Sequence, residues 1–203
     1  MAKASENKQL DTTVSVQPGD RLVADALDAR GAGSLTLEQI LDKIGELTPE
    51  SVDARFSQPI LLQLYEVTGG GRLPFETTSF KPDDLSSKEV RDLLETHVLP
   101  VQKRRSTSFA TMVTLGRAPN CDIVVPVPLV SKFHLWFSQT HEGWVVSDAG
   151  STNGTSVDGT PLEARRPRPL AGPTILSLAS EYHFRFVPAS EIFPLLRAAD
   201  RLR

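Results

Sequence analysis

From Thr111 to Val187 no hydrophobic run lasts long enough for a helix before a turn-forming residue cuts it. Apolar, often β-branched or aromatic segments stand at 112–115, 123–125, 133–138, 144–147, 156–157, 175–178 and 182–187, separated by Pro, Gly, Asn or Asp. A short strand buries one face only and needs a second sheet to cover it. Many such strands joined by turn residues therefore specify a mainly β, antiparallel sandwich.

The rest of the chain reads differently. In 36–45, Leu37, Ile40, Leu41 and Ile44 fall on one helical face, Thr36 and Gln39 fit a capping box, and Gly45 fits the stop. A second short helix fits after Thr48-Pro49 and ends before Gln58-Pro59. Residues 59–67 alternate as a strand, and Gly69-Gly70-Gly71 breaks it. Ser86 and Glu89 fit a capping box for a helix with Val90, Leu93 and Leu94 on one face, stopping before Pro100. Ser190 can cap a last helix over 191–201. The expected organisation is a disordered or weakly ordered segment 1–33, a helical segment 34–58 packing on the sandwich, a sandwich 59–190 with a helical insertion 72–108, and a C-terminal helix 191–203.

Composition removes several function classes. The net charge of −3 leaves no overall footprint for nucleic acid. The local basic groups, Lys103-Arg104-Arg105 and Arg165, Arg166, Arg168, read as solvated loops. Cys121 is the lone cysteine and reads as a packing or loop residue; no metal spacing links it to His97, His141 or His183. No metal or cofactor is expected. No phosphate-cradling Gly-x-x-x-x-Gly-Lys loop or kinase signature occurs. Ser131 and His134, three apart on an expected strand, would point to opposite faces, so they make no catalytic dyad. The chain is not expected to be an enzyme. The first ten residues lack an apolar leader core and no run approaches a membrane span, so the expected location is cytoplasmic.

Three motifs stand in order within the β region: Gly116-Arg117, Ser131-Lys132-Phe133-His134 and Ser151-Thr152-Asn153-Gly154-Thr155. Cys121-Asp122-Ile123, Asp148-Ala149-Gly150-Ser151 and Val157-Asp158-Gly159 lie between or just after them. This pattern resembles the forkhead-associated (FHA) domain, a β-sandwich that binds phosphothreonine peptides, and in particular small bacterial FHA signalling proteins. The resemblance covers 113–187. It departs in Lys132, where the family usually has arginine, in Gly172-Pro173 and Ala179, and in a Pro/Arg-rich insertion at 163–169.

The resemblance implies roles. Arg117, Ser131 and Lys132 would contact the phosphate, Asn153 the peptide backbone beside it, and Thr152 would stand with Asn153 at the loop tip. Gly116, His134 and Gly154 would brace the site. The chemistry agrees. A phosphothreonine carries nearly two charges and three acceptor oxygens; a guanidinium fork suits it, and an amide pairs with a backbone in both directions. His134, flanked by Phe133, Leu135 and Trp136, reads as a hydrogen-bonded core histidine. The expected partners are phosphothreonine-containing proteins, with a Ser/Thr protein kinase among them, and neither nucleic acid nor membrane. The alternative is an interaction protein that docks through its added helices whatever the phosphorylation state. Thr77 and Thr78 resemble the phosphoacceptor segment of some bacterial FHA regulators, and Thr107 has the basic lead-in many kinases prefer. All three are candidate phosphoacceptors.

Overall fold

The computed structural model describes residues 35–64, 87–104, 109 and 111–203. Its strands are β1 (Ile60–Leu64), β2 (Val98–Pro100), β3 (Met112–Gly116), β4 (Ile123–Val124), β5 (Leu135–Thr140), β6 (Gly143–Asp148), β7 (Thr155–Val157), β8 (Thr160–Pro161), β9 (Arg168–Leu170), β10 (Thr174–Leu178) and β11 (Tyr182–Val187). Its helices are α1 (Leu37–Ile44), α2 (Pro49–Asp53), α3 (Ser87–Leu94) and α4 (Ala189–Asp200). The strands form a six-stranded sheet, β2-β1-β11-β10-β7-β8, and a five-stranded sheet, β4-β3-β5-β6-β9. Every pairing is antiparallel except β3 with β4.

Between the sheets lies a core of Val113, Leu115, Leu135, Phe137, Val146, Leu176, Leu178, Phe184 and Phe186. Phe137 of one sheet stacks on Phe186 of the other, centroids 6.1 Å apart. Fully burying each such side chain stabilises by about 1.5–3 kcal/mol, so these rings fix the spacing of the layers.

β1 is buried on both faces. Leu61 points into the sandwich, whereas Ile60, Leu62 and Leu64 point the other way, as the period of two requires. There they meet Leu37, Ile40, Leu41 and Ile44 of α1, Val52 of α2, Leu93 of α3 and Ile192, Leu196 and Ala199 of α4. The helices thus make a second core on the outer face of the six-stranded sheet. The Thr36–Gln39 capping box forms, with both reciprocal bonds.

The structure corrects three local expectations. The helix expected to stop before Pro100 ends already at Leu94; Thr96 folds back onto the Leu93 carbonyl, and Val98–Pro100 becomes edge strand β2 beside β1. The insertion at 163–169 is not all loop, because Arg168–Leu170 pairs with β6 as edge strand β9. Ser190 is not the cap of the last helix: α4 starts at Ala189 behind Pro188, with no side-chain cap bond. Residues 1–33 and the Ser86 cap lie outside the described residues.

Candidate functional site

Two loops meet at one end of the sandwich, and a buried carboxylate shapes the first. Asp148 ends β6 and is 3% exposed. An unpartnered carboxylate there would be costly. Its Oδ1 accepts the N–H groups of Gly150 and Ser151, both at 2.8 Å, and its Oδ2 accepts the hydroxyls of Ser151 and Thr155, both at 2.6 Å. Burial alone would raise the Asp148 pKa; the donated hydrogen bonds outweigh it and hold the carboxyl below its ordinary value. The side chain therefore templates 149–155. Gly154, at φ 75, supplies the left-handed turn that delivers the chain to β7. Asn153-Gly154 does not close a hairpin, because β6 and β7 belong to different sheets. The loop is a crossover between layers, and Thr152 and Asn153 are exposed on it.

The second loop, 129–131, is held almost atom by atom. Asn153 Nδ2 donates to the Leu129 carbonyl at 2.9 Å. Arg117 Nε donates to the Val130 carbonyl at 3.0 Å, and the Arg117 N–H to the Ser131 carbonyl at 2.9 Å. The Ser131 N–H donates to His134 Nδ1 at 3.0 Å, and the Thr152 N–H donates to Ser131 Oγ at 3.0 Å. His134, fully buried, then donates from Nε2 to the Gly154 carbonyl at 3.1 Å. That pair of bonds selects the neutral tautomer. Burial holds the His134 pKa below the ordinary imidazole value, against the opposing pull of the Gly154 carbonyl and the Asp148 charge.

Gly116 makes this assembly possible. A Cβ there would stand 2.4 Å from the Lys132 carbonyl oxygen, inside any permitted contact. Arg117, Ser131, Lys132, Thr152 and Asn153 thus converge on one surface, with Gly116, His134 and Gly154 behind it. Arg117 and Lys132 are exposed and make no ion pair among the described residues. Their positive charge is open to an anion.

Ser131 and His134 are not on a strand, as the sequence had suggested; they sit on a turn before β5. The imidazole nitrogen facing Ser131 takes its backbone N–H, not its hydroxyl. The serine is therefore not activated as a nucleophile.

Sequence reasoning missed a second buried carboxylate. Asp122, 2% exposed, accepts from Lys103 Nζ at 2.8 Å, from the Arg104 N–H at 3.0 Å and from the Thr114 N–H and hydroxyl, each at 2.8 Å. Burial would raise the Asp122 pKa, but these donors lower it. Lys103 is thus an anchor, not a solvated loop charge. The ion pair has no local sequence signal. Asp148 had one: an Asp followed by Gly and Ser is a side-chain-to-backbone turn signature. Arg166 does behave as a surface charge, paired with exposed Glu163 at 2.9 Å.

Cys121 is buried, with its thiol on the Lys132 carbonyl. Thr77, Thr78 and Thr107 lie outside the described residues. Among the described residues no cluster of three His, Cys, Asp or Glu could hold a metal, and no helix is long and apolar enough to cross a membrane.

Comparison with known proteins adds a family. Residues 113–179 match the FHA domain family. The chain is similar to a structure described as a structural and functional analysis of phosphothreonine-dependent FHA domain interactions (19% identity, TM-score 0.39, 64% of this chain and 95% of that one). It is similar to Mycobacterium tuberculosis EmbR in complex with a low affinity phosphopeptide (18%, 0.39, 63% of this chain but 24% of that one). It is also similar to the FHA domain of an Arabidopsis thaliana hypothetical protein (15%, 0.42, 64% and 85%). No curated protein sequence matches it. The matched span opens on the strand before Gly116-Arg117 and closes at the end of β10, so the third of the chain that matches the FHA domain family contains both loops of the site.

Proposed function

We propose that the chain reads phosphothreonine in partner proteins and recruits them in Ser/Thr kinase signalling. The observation that carries this reading is the pair of exposed cations, Arg117 and Lys132, with no ion pair among the described residues, beside a serine whose loop is fixed by five hydrogen bonds. Preorganised donors and open positive charge suit a dianion with three acceptor oxygens. In this reading the Arg117 terminal nitrogens, the Ser131 hydroxyl and the Lys132 ammonium receive the phosphate. Asn153, tethered by its Nδ2 to Leu129, presents its carbonyl to the peptide backbone, and Thr152 borders the threonine methyl. A lysine at 132 gives a point contact where arginine would give a fork.

The FHA match supports a binding module over a catalyst, and so does the Ser131–His134 geometry. Docking through the added helices loses its motive, because their apolar faces are used on β1 and on one another. The partners are then phosphothreonine proteins, a kinase among them, at a cytoplasmic location. Thr77, Thr78 and Thr107 are proposed acceptors whose phosphates would compete for the same surface. The direct test is titration of matched phosphothreonine, phosphoserine and unphosphorylated peptides. Binding confined to phosphopeptides and strongest for phosphothreonine is expected; equal binding without phosphate contradicts the reading.

A further inference from the structure

Asn153 and Gly154 form the tip of the crossover loop, and they are placed to react with one another. Asn153 is exposed. The residue after it is a glycine at φ 75, and a Cβ built there would meet nothing within 4 Å. The Gly154 carbonyl is held twice, by His134 Nε2 at 3.1 Å and by the Ala179 N–H at 3.0 Å. The Gly154 N–H, in contrast, makes no hydrogen bond among the described residues. A side-chain amide thus stands on an exposed loop beside an uncrowded backbone nitrogen.

Asparagine is a thermolabile residue, and this pairing is what its breakdown requires. The Gly154 nitrogen gives its proton to solvent and bonds to Asn153 Cγ. The Cγ–Nδ2 bond breaks, and the side-chain nitrogen takes up a proton and leaves as ammonia. Water then opens the cyclic imide at either carbonyl. The product is aspartate or, with the backbone rerouted through the side chain, isoaspartate. The net change is amide plus water to carboxylate plus ammonium. A side chain on the following residue would crowd the attack, and glycine has none.

The site loses twice by this change. Asn153 Nδ2 donates to the Leu129 carbonyl at 2.9 Å. A carboxylate there meets that carbonyl acceptor to acceptor, and loop 129–131 loses a tether. The new negative charge also stands on the surface that carries Arg117 and Lys132, where it repels a phosphate dianion. The same tether holds the leaving nitrogen, so the reaction runs only when Asn153 lets go of Leu129.

We propose that Asn153 is a self-modification site: its hydrolysis to aspartate or isoaspartate switches off phosphothreonine binding, and a bound phosphopeptide slows it by holding the Asn153 side chain. The effect on binding rests on the phosphothreonine reading; the modification itself does not.

The test follows the full chain over weeks in neutral and mildly alkaline buffer, with and without a saturating phosphothreonine peptide. Peptide mapping measures aspartate and isoaspartate at 153 and at Asn120, an exposed asparagine followed by cysteine that serves as the internal reference. Conversion at 153 should run at least about tenfold ahead of that at Asn120, because only Gly154 leaves the attack uncrowded. It should rise with pH and fall several-fold under the peptide. The converted chain, and freshly prepared Asn153→Asp, should bind the peptide at least about tenfold more weakly than the fresh natural chain while still unfolding cooperatively. Conversion at 153 no faster than at Asn120, or unchanged by the peptide, overturns the proposal and leaves phosphothreonine reading intact. Full affinity in the converted chain overturns the loss of binding. A fresh chain that binds no phosphothreonine peptide removes the phosphothreonine reading, and the switch with it, whatever happens at 153.

Discussion

The two buried aspartates make an instructive pair. Asp122 and Asp148 are almost equally hidden, each takes four hydrogen bonds, and each is held below its ordinary pKa. They differ in who donates. Asp122 takes a lysine ammonium, so a full positive charge is consumed in the structure. Asp148 is satisfied by two N–H groups and two hydroxyls, all neutral. Had Asp148 captured Arg117 or Lys132, the loops would be as well held and the site would have lost its charge. Neutral donors leave Arg117 and Lys132 without an ion pair among the described residues, as the proposed phosphate reading requires. One carboxylate fastens the start of the sandwich; the other shapes a surface without discharging it.

Four perturbations break or sharpen this comparison. Asp122→Ala should do the most to stability. It strands Lys103 and two inward N–H groups, a loss of about 3–4 kcal/mol in denaturant unfolding. Phosphopeptide affinity of the folded fraction should change little. Asp148→Ala should cost about 3 kcal/mol for the same kind of reason. Unlike Asp122→Ala, it should also weaken phosphopeptide binding at least tenfold, since loop 149–155 loses its template; unchanged affinity would show that the loop holds its shape by other means.

His134→Ala removes the bridge between the Ser131 N–H and the Gly154 carbonyl. It should lower stability by about 2 kcal/mol, with binding affected less than stability. A variant of full thermal stability that no longer binds would make His134 a direct contact.

The smallest effect is a pH dependence. His134 is neutral when folded and protonates more readily when unfolded. Its contribution is complete above about pH 6.5 and declines as pH falls from there toward its lowered folded value. The aspartates contribute fully above about pH 4 and are lost as pH falls through their lowered folded values. Stability measured against pH should fall in two stages. His134→Ala should remove the upper one and leave the lower; a single fall in both proteins would contradict the assignment.

Much of this architecture was legible in the sequence, and what was not has a common physical cause. Strands such as 112–115 and 182–187 announce themselves by β-branched and aromatic residues between turn formers. The strands missed were β2, β8 and β9. Each lies at a sheet edge and each contains a proline: Pro100, Pro161 and Pro169. Proline reads as a breaker, yet at an edge its missing donor faces no neighbour. The site was legible as a set of side chains and not as an assembly. Nothing local in the sequence says that Asn153 will hold Leu129, 24 residues away, or that Lys103 will hold Asp122, 19 away. Ser131 and His134 misled because a turn, not a strand, joins them.

The central claim is that Arg117 and Lys132, which make no ion pair among the described residues, bind a phosphate. Calorimetric titration of a phosphothreonine peptide into the natural chain and into Arg117→Ala, with unfolding of both proteins followed in parallel, tests it most directly. The account predicts a loss of at least about thirtyfold in affinity, about 2 kcal/mol or more, in a protein that unfolds cooperatively with near-natural stability. Undiminished affinity in folded Arg117→Ala would contradict it and put the binding surface elsewhere.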